Sequence, residues 1–126
     1  MNAGQIVYER LVADAGVVAE VGTRVQPLLA VIDTELPCIV YQVQVDDEGE
    51  GTAPVQRCTV TVNCLAHNES DAHDAAVAAD AALNGYSGAA GGVYLRSLVR
   101  GGANDEYDDE INVWRRTLTF YGMQIG

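Results

Sequence analysis

The chain has 126 residues, 18 Asp plus Glu against 7 basic residues that are all Arg, and a formal net charge of −11. That length builds one domain around one core, and 48% hydrophobic with 20% charged residues excludes wholesale disorder. No strictly apolar run exceeds five residues (Leu28 to Ile32 is one), which excludes a membrane-spanning helix, and the absence of clustered Lys or Arg excludes a grip on the phosphate backbone of nucleic acid.

In chain order, Ala3 to about Asp14 reads as a helix, with Val7, Leu11 and Val18 near one stripe and Gln5, Glu9 and Arg10 facing away. Residues 1–15 carry no basic segment followed by an apolar block, so no secretory leader is expected. Gly16 interrupts the helix, and a short turn through Val17-Val18-Ala19-Glu20 is expected before Gly22. Thr23 to Pro27 reads as a short extended segment, which Pro27 keeps from a central sheet position because it lacks an N–H. Leu28 to Leu36 reads as a connection.

Cys38 to Val45 and Val55 to Ala66 are predicted strands, rich in β-branched and aromatic residues. Between them Asp46-Asp47-Glu48-Gly49-Glu50-Gly51 forms a long acidic hairpin tip. Asn68 to Asn84 is the main predicted helix. Asn68 or Ser70 can cap it, Glu69, Asp71 and Asp74 complement its positive end, and Asn84-Gly85 stops it. Its apolar stripe is nearly all alanine (Ala72, Ala75, Ala76, Ala79, Ala82, with Leu83), a face that can approach a sheet closely. Gly85 to Gly92 reads as a glycine-rich turn, Val93 to Arg100 as a strand, Gly101 to Glu110 as a second acidic loop, and Ile111 to Tyr121 as a final strand. The expected order is α-β-β-α-β-β. It describes an α+β domain spanning 1–126, in which an antiparallel sheet of about four strands carries helices on one face.

The three cysteines lack CxxC spacing, so neither a zinc ribbon nor a thioredoxin motif is present. Cys58 and Cys64 stand six apart in one strand, roughly 20 Å and beyond disulfide reach. In the first strand the bulky apolar residues are odd-numbered (Ile39, Tyr41, Val43, Val45), and in the second even-numbered (Cys58, Val60, Val62, Cys64). Residues directly opposite in an antiparallel pair share a face, so Cys38 is expected to point away from the other two. Three reduced thiols follow, two of them small core residues.

Little in the chain suggests catalysis. His67 and His73 flank a helix start rich in acids, but His73 lies about one and a half turns inside, so their rings diverge and no metal site is expected. Gly85 to Gly92 follows a helix and precedes a strand, the reverse of a phosphate loop. No Ser/His/Asp or Cys/His set assembles. Tyr107 among acids lacks the spacing of a calcium loop. No cofactor and no catalytic residue is expected.

The acids are concentrated. Asp46, Asp47, Glu48 and Glu50 lie in one segment and Asp105, Glu106, Asp108, Asp109 and Glu110 in another, together half of the eighteen. In an antiparallel sheet both could lie at one end, as strand order decides. They are either solvated tips or surfaces facing a cationic partner or a space from which anions are kept. A salt-adapted host would produce the same acidity.

Several blocks resemble a known family when taken in order: Leu11 to Asp14, Val21-Gly22-Thr23-Arg24-Val25-x-Pro27, Leu36-Pro37-x-Ile39-Val40-Tyr41-Gln42, and Arg57-x-x-Val60-x-Val62-x-Cys64. Ala81-Ala82-Leu83-Asn84-Gly85 and Trp114-Arg115-Arg116-Thr117-Leu118-x-Phe120 complete the series, from about residue 5 to 121. The sequence is similar to the tail-completion or tail-terminator (tail-to-head joining) proteins of long-tailed bacteriophages and gene transfer particles. It departs from their pattern in lacking Lys and in its two very acidic segments.

The resemblance implies a structural virion protein with an antiparallel sheet and flanking helices, assembled in the host cytoplasm and located at the head–tail junction. It implies a homohexameric ring that caps the tail tube, stops its polymerisation and meets the head-completion or connector protein, while DNA passes through without specific binding and no membrane is involved. The ring contacts expected here are Arg115 and Arg116, pairing across protomers with an acidic segment, since Arg offers bidentate carboxylate pairing. The alternatives are another neck or tail-tube ring component, or a small acidic cellular binding or adaptor domain.

Overall fold

A computed structural model describes residues 3–22, 24–27, 36–46, 55–90 and 92–125. Among them are three helices, α1 (Ala3–Ala13), α2 (Ala15–Val21) and α3 (Glu69–Leu83). There are also six strands: β1 (Val25–Pro27), β2 (Cys38–Asp46), β3 (Val55–Ala66), β4 (Gly88–Ala90), β5 (Val93–Asp108) and β6 (Val113–Ile125). The strands form one sheet in the order β1-β2-β3-β6-β5-β4. β1 runs parallel to β2, and the other pairings are antiparallel. The α+β expectation therefore stands, while the expected four strands become six in a mixed sheet and their order changes.

Two additions are short edge pieces. β1 is the predicted extended segment, and Pro27 sits where its missing N–H costs no ladder bond in a central strand. β4 lies inside the predicted glycine-rich turn and pairs with Val93 to Leu95. The expected connection 28–35 and the acidic residues Asp47, Glu48 and Glu50 lie outside the described residues.

The largest departure is at the second acidic segment. Gly101 to Asp108 is not a loop but the second half of β5, paired residue for residue with β6 from Gly102↔Thr119 to Asp108↔Val113. The turn is only Asp109 to Asn112, with Asn112 at φ 54° supplying the left-handed step such a connection needs. β6 accordingly begins at Val113 rather than Ile111 and runs on to Ile125.

Register divides the sheet into two faces. Val60, Val62 and Cys64 share a face with Ile39, Leu118 and Phe120, and all are buried. Against this face pack Ile6, Val7 and Leu11 of α1, Val17 and Val21 of α2, and the alanine stripe of α3 with Leu83. α3 starts where Asn68 accepts a hydrogen bond from the Asp71 N–H. At its other end Arg10 of α1 donates to the Ala82 carbonyl at 2.8 Å and lies over the Tyr86 ring, satisfying a carbonyl the helix end leaves open.

β5 reaches this core by irregular means. Leu95 and Leu98 are both fully buried, although residues three apart face opposite ways in a regular strand. A bulge between Arg96 and Val99, with Ser97 at φ 54°, adds the residue that turns Leu98 inward. A second bulge at Gly101 lets the Tyr121 ring lie on the backbone, where a Cβ would meet ring carbon at 2.0 Å.

Candidate interaction surface

Strand order fixes the ends of the sheet from which the two acidic segments leave. β2 ends at Asp46 opposite Arg57, near the start of β3, whereas the β5–β6 turn stands beside Ala66, at its end. The two ends of β3 are about 36 Å apart at the usual strand rise. The segments therefore leave the sheet at opposite ends, which corrects the idea of one shared acidic end.

At the turn end the acids meet arginines of their own chain. Arg116 holds both oxygens of Asp105 at 2.8 and 2.7 Å, and Arg115 pairs with Glu106. These are directly opposed cross-strand residues. Asp105 with Arg116 lies on the helix-bearing face and Glu106 with Arg115 on the other. The arginines singled out for contacts between protomers are thus engaged within the hairpin. Tyr107 packs on Trp114 with ring centroids 4.8 Å apart, and its hydroxyl donates to Asn112 Oδ1 at 2.8 Å. Asp108 Oδ1 accepts from the Glu110 N–H, and His67 Nδ1 lies 3.3 Å from the Asn112 carbonyl. The poor strand formers Gly-Gly-Ala-Asn-Asp-Glu are held straight by these pairs rather than by propensity.

Both charge pairs are solvent-exposed, so each contributes roughly 0.2–1 kcal/mol. A double-mutant cycle with Asp105→Ala and Arg116→Ala should give a coupling in that range by thermal or urea unfolding, and a value several times larger would mean that the pair is protected from solvent.

An open cleft of about 440 Å³ at this end is lined by Leu65, Ile111 and Val113 together with Glu106, Asp108, Asp109 and Glu110. Ile111 is 61% exposed at the tip. At the far end of the sheet's free face, Tyr94, Val99, Tyr121 and Met123 are all at least 40% exposed, with Arg96 directly opposite Met123. A large apolar group left in water is informative when several adjoin. Sequence alternation flagged the strands but not this patch, because the bulges decide which residues of β5 join it.

The cysteines are buried and free. Cys38 pairs with Leu65 and Ile39 with Cys64, so Cys38 faces away from Cys58 and Cys64 as expected. Burial pushes the Cys64 thiol up to about 12, with Cys38 adding to the rise and Arg116 opposing it, and burial raises Cys38 as well. A thiol raised in the folded state favours folding at and below its ordinary value and progressively loses that contribution as pH climbs toward 12. All three thiols should therefore resist a thiol reagent at pH 8 and react together on unfolding. Fast labelling of one thiol in the native protein would contradict the buried placement.

Among the described residues no group of three or more His, Cys, Asp or Glu is placed to hold a metal ion, and no helix is long and apolar enough to cross a membrane.

Residues 5–123 match the family model described as tail completion protein gp17. No curated protein matches the chain. Among solved structures, a chain in the virion of a native gene transfer agent particle is similar at 25% identity, covering 95% of this chain and 92% of that one with a TM-score of 0.80.

Proposed function

The chain belongs to the family of tail completion protein gp17, and we propose that within this structural tail family it is the ring component at the head–tail junction. In this reading six copies close into a ring that seats on the last ring of the tail tube. One face of the ring ends tube polymerisation, and the other receives the head-completion or connector protein. DNA passes through the hole.

The observation that carries the reading is the extent of the likeness: the family match and the virion-particle likeness each take in nearly the whole chain, sheet and helices together. The structure supports the mechanical parts of the reading. The sheet offers two unlike ends, one bearing the acidic β5–β6 turn and one bearing the exposed apolar patch with Arg96, where β2 also ends at Asp46, and contacts between unlike patches close into rings. A protomer of charge −11 repels phosphates, so a ring of such protomers would let DNA slide rather than hold it. The acidic segments Asp46 to Glu50 and Asp105 to Glu110 belong to ring contact or lumen in this reading, with Arg115 and Arg116 shaping the second.

Deleting the gene from a particle-producing genome should yield DNA-filled heads apart from tails of uncontrolled length, and adding the purified protein should restore joined particles. Joined particles with tails of normal length in its absence would overturn the reading.

A further inference from the structure

We propose that the tip of the β5–β6 hairpin of one copy docks on the exposed apolar patch at the far end of the sheet in the next copy. This contact rests on the ring reading and gives it a defined interface.

The tip presents Ile111, 61% exposed, among Asp108, Asp109 and Glu110. The patch presents Val99 at 58%, Tyr121 at 51% and Met123 at 44%, beside Arg96. Arg96 is exposed and meets no carboxylate among the described residues. The two surfaces are complementary on the β5 side, an apolar knob ringed by acids and an apolar seat with Arg96 beside it, whereas across the same row, beyond Met123 and Arg57, β2 ends at Asp46.

Val113 and Met123 are ten residues apart along one continuous strand, about 33 Å of strand rise, so the tip and the seat of one chain stand at opposite ends of β6. The occupant in this proposal is the tip of a second copy, whose exposed Ile111 and tip acids match the apolar patch and Arg96. Because knob and seat are different patches, each copy donates one and receives one. Such contacts propagate around a ring or along a filament and do not end at a dimer. The positions of the acids agree with this arrangement. Asp105 and Glu106, further down the hairpin, are neutralised by Arg116 and Arg115, while no arginine among the described residues pairs with the acids at the tip.

The test uses Ile111→Cys and Val99→Cys, both at exposed positions, in a chain whose own thiols are buried. Oxidising a mixture of the two single variants under assembly conditions should give a covalent heterodimer. The double variant should give a ladder running past the dimer to a closed species. In addition, Arg96→Glu should weaken assembly by about tenfold, and Asp109→Arg with Glu110→Arg should recover most of that loss when combined with it. A double variant that stops at a covalent dimer would overturn the proposal in favour of reciprocal face-to-face pairing. The absence of any cross-link in protein that still assembles and caps tubes would overturn this contact and leave the ring standing. Protein that neither assembles nor caps would remove both.

Discussion

Phe120→Ala is expected to cost about 3–5 kcal/mol of stability, a large share of the roughly 5–15 kcal/mol a domain of this size commands. Phe120 has no exposed surface and is the largest fully buried side chain among the described residues. It sits on the middle strand of the sheet, opposite Val60 on β3 and Arg100 on β5. α3, which packs on β3 and β6, presents mainly methyl groups, and a row of alanines has no longer side chains that could swing into the space left by the ring. The loss should appear as a lower urea midpoint with little change in slope. Thr119→Ala, one residue away on the free face, should move the midpoint little. Equal effects from the two would mean that the core does not lie on the side assigned to it.

The second large effect runs in the other direction. Ala79→Leu should destabilise by about 1–3 kcal/mol, although it adds apolar bulk to an apolar site. Ala79 is fully buried in the stripe by which α3 meets the sheet. The preceding residue, Ala78, lies close to α2, where a Cβ added at Gly16 would come within 3.8 Å of the Ala78 methyl. An isobutyl group at Ala79 would have to lift α3 off β3 and β6 or force strained rotamers. Val77, 54% exposed on the same helix, provides the control, since Val77→Leu should be nearly neutral. Thermal unfolding of both variants checks the pair. A stabilised Ala79→Leu would reveal slack packing under α3.

These two expectations rest on parts of the fold that the chain announces plainly. The alternation of Cys58, Val60, Val62 and Cys64 and its offset from Ile39, Tyr41 and Val43 encode both the core face and the placement of Cys38, because the side-chain period of a strand is two. The alanine spacing of α3 encodes its buried face in the same way, and Asn68 its start. The second half of β5 was not legible from local pattern. Its run of Gly, Ala, Asn and acids favours a loop by propensity, and what holds it as a strand is the template of β6 with the charge pairs Asp105–Arg116 and Glu106–Arg115. The four-residue spacing between Asp108 and Val113, with Asn112 before the strand, was the available signal of a tight turn.

The short strand β4 was hard to read for a different reason, whereas β1 lies within the segment read as extended, Thr23 to Pro27, and only its pairing with β2 was not legible. Three residues carry too little periodicity to mark a strand, and both short strands exist only because a longer neighbour offers an edge. The candidate surface was half visible. The acids of the turn stood out by composition, whereas the apolar seat depends on bulges at Ser97 and Gly101, whose effect on facing cannot be counted from the sequence. That β2 ends at Asp46 at one end of the sheet and the β5–β6 turn stands at the other follows from strand order alone.

The most direct test of the central claim is to add the purified protein to polymerising tail-tube protein and to image the products by electron microscopy. The ring reading predicts tubes that stop growing and carry a ring of extra density at one end. Tubes that grow without limit and bear no such density would contradict it.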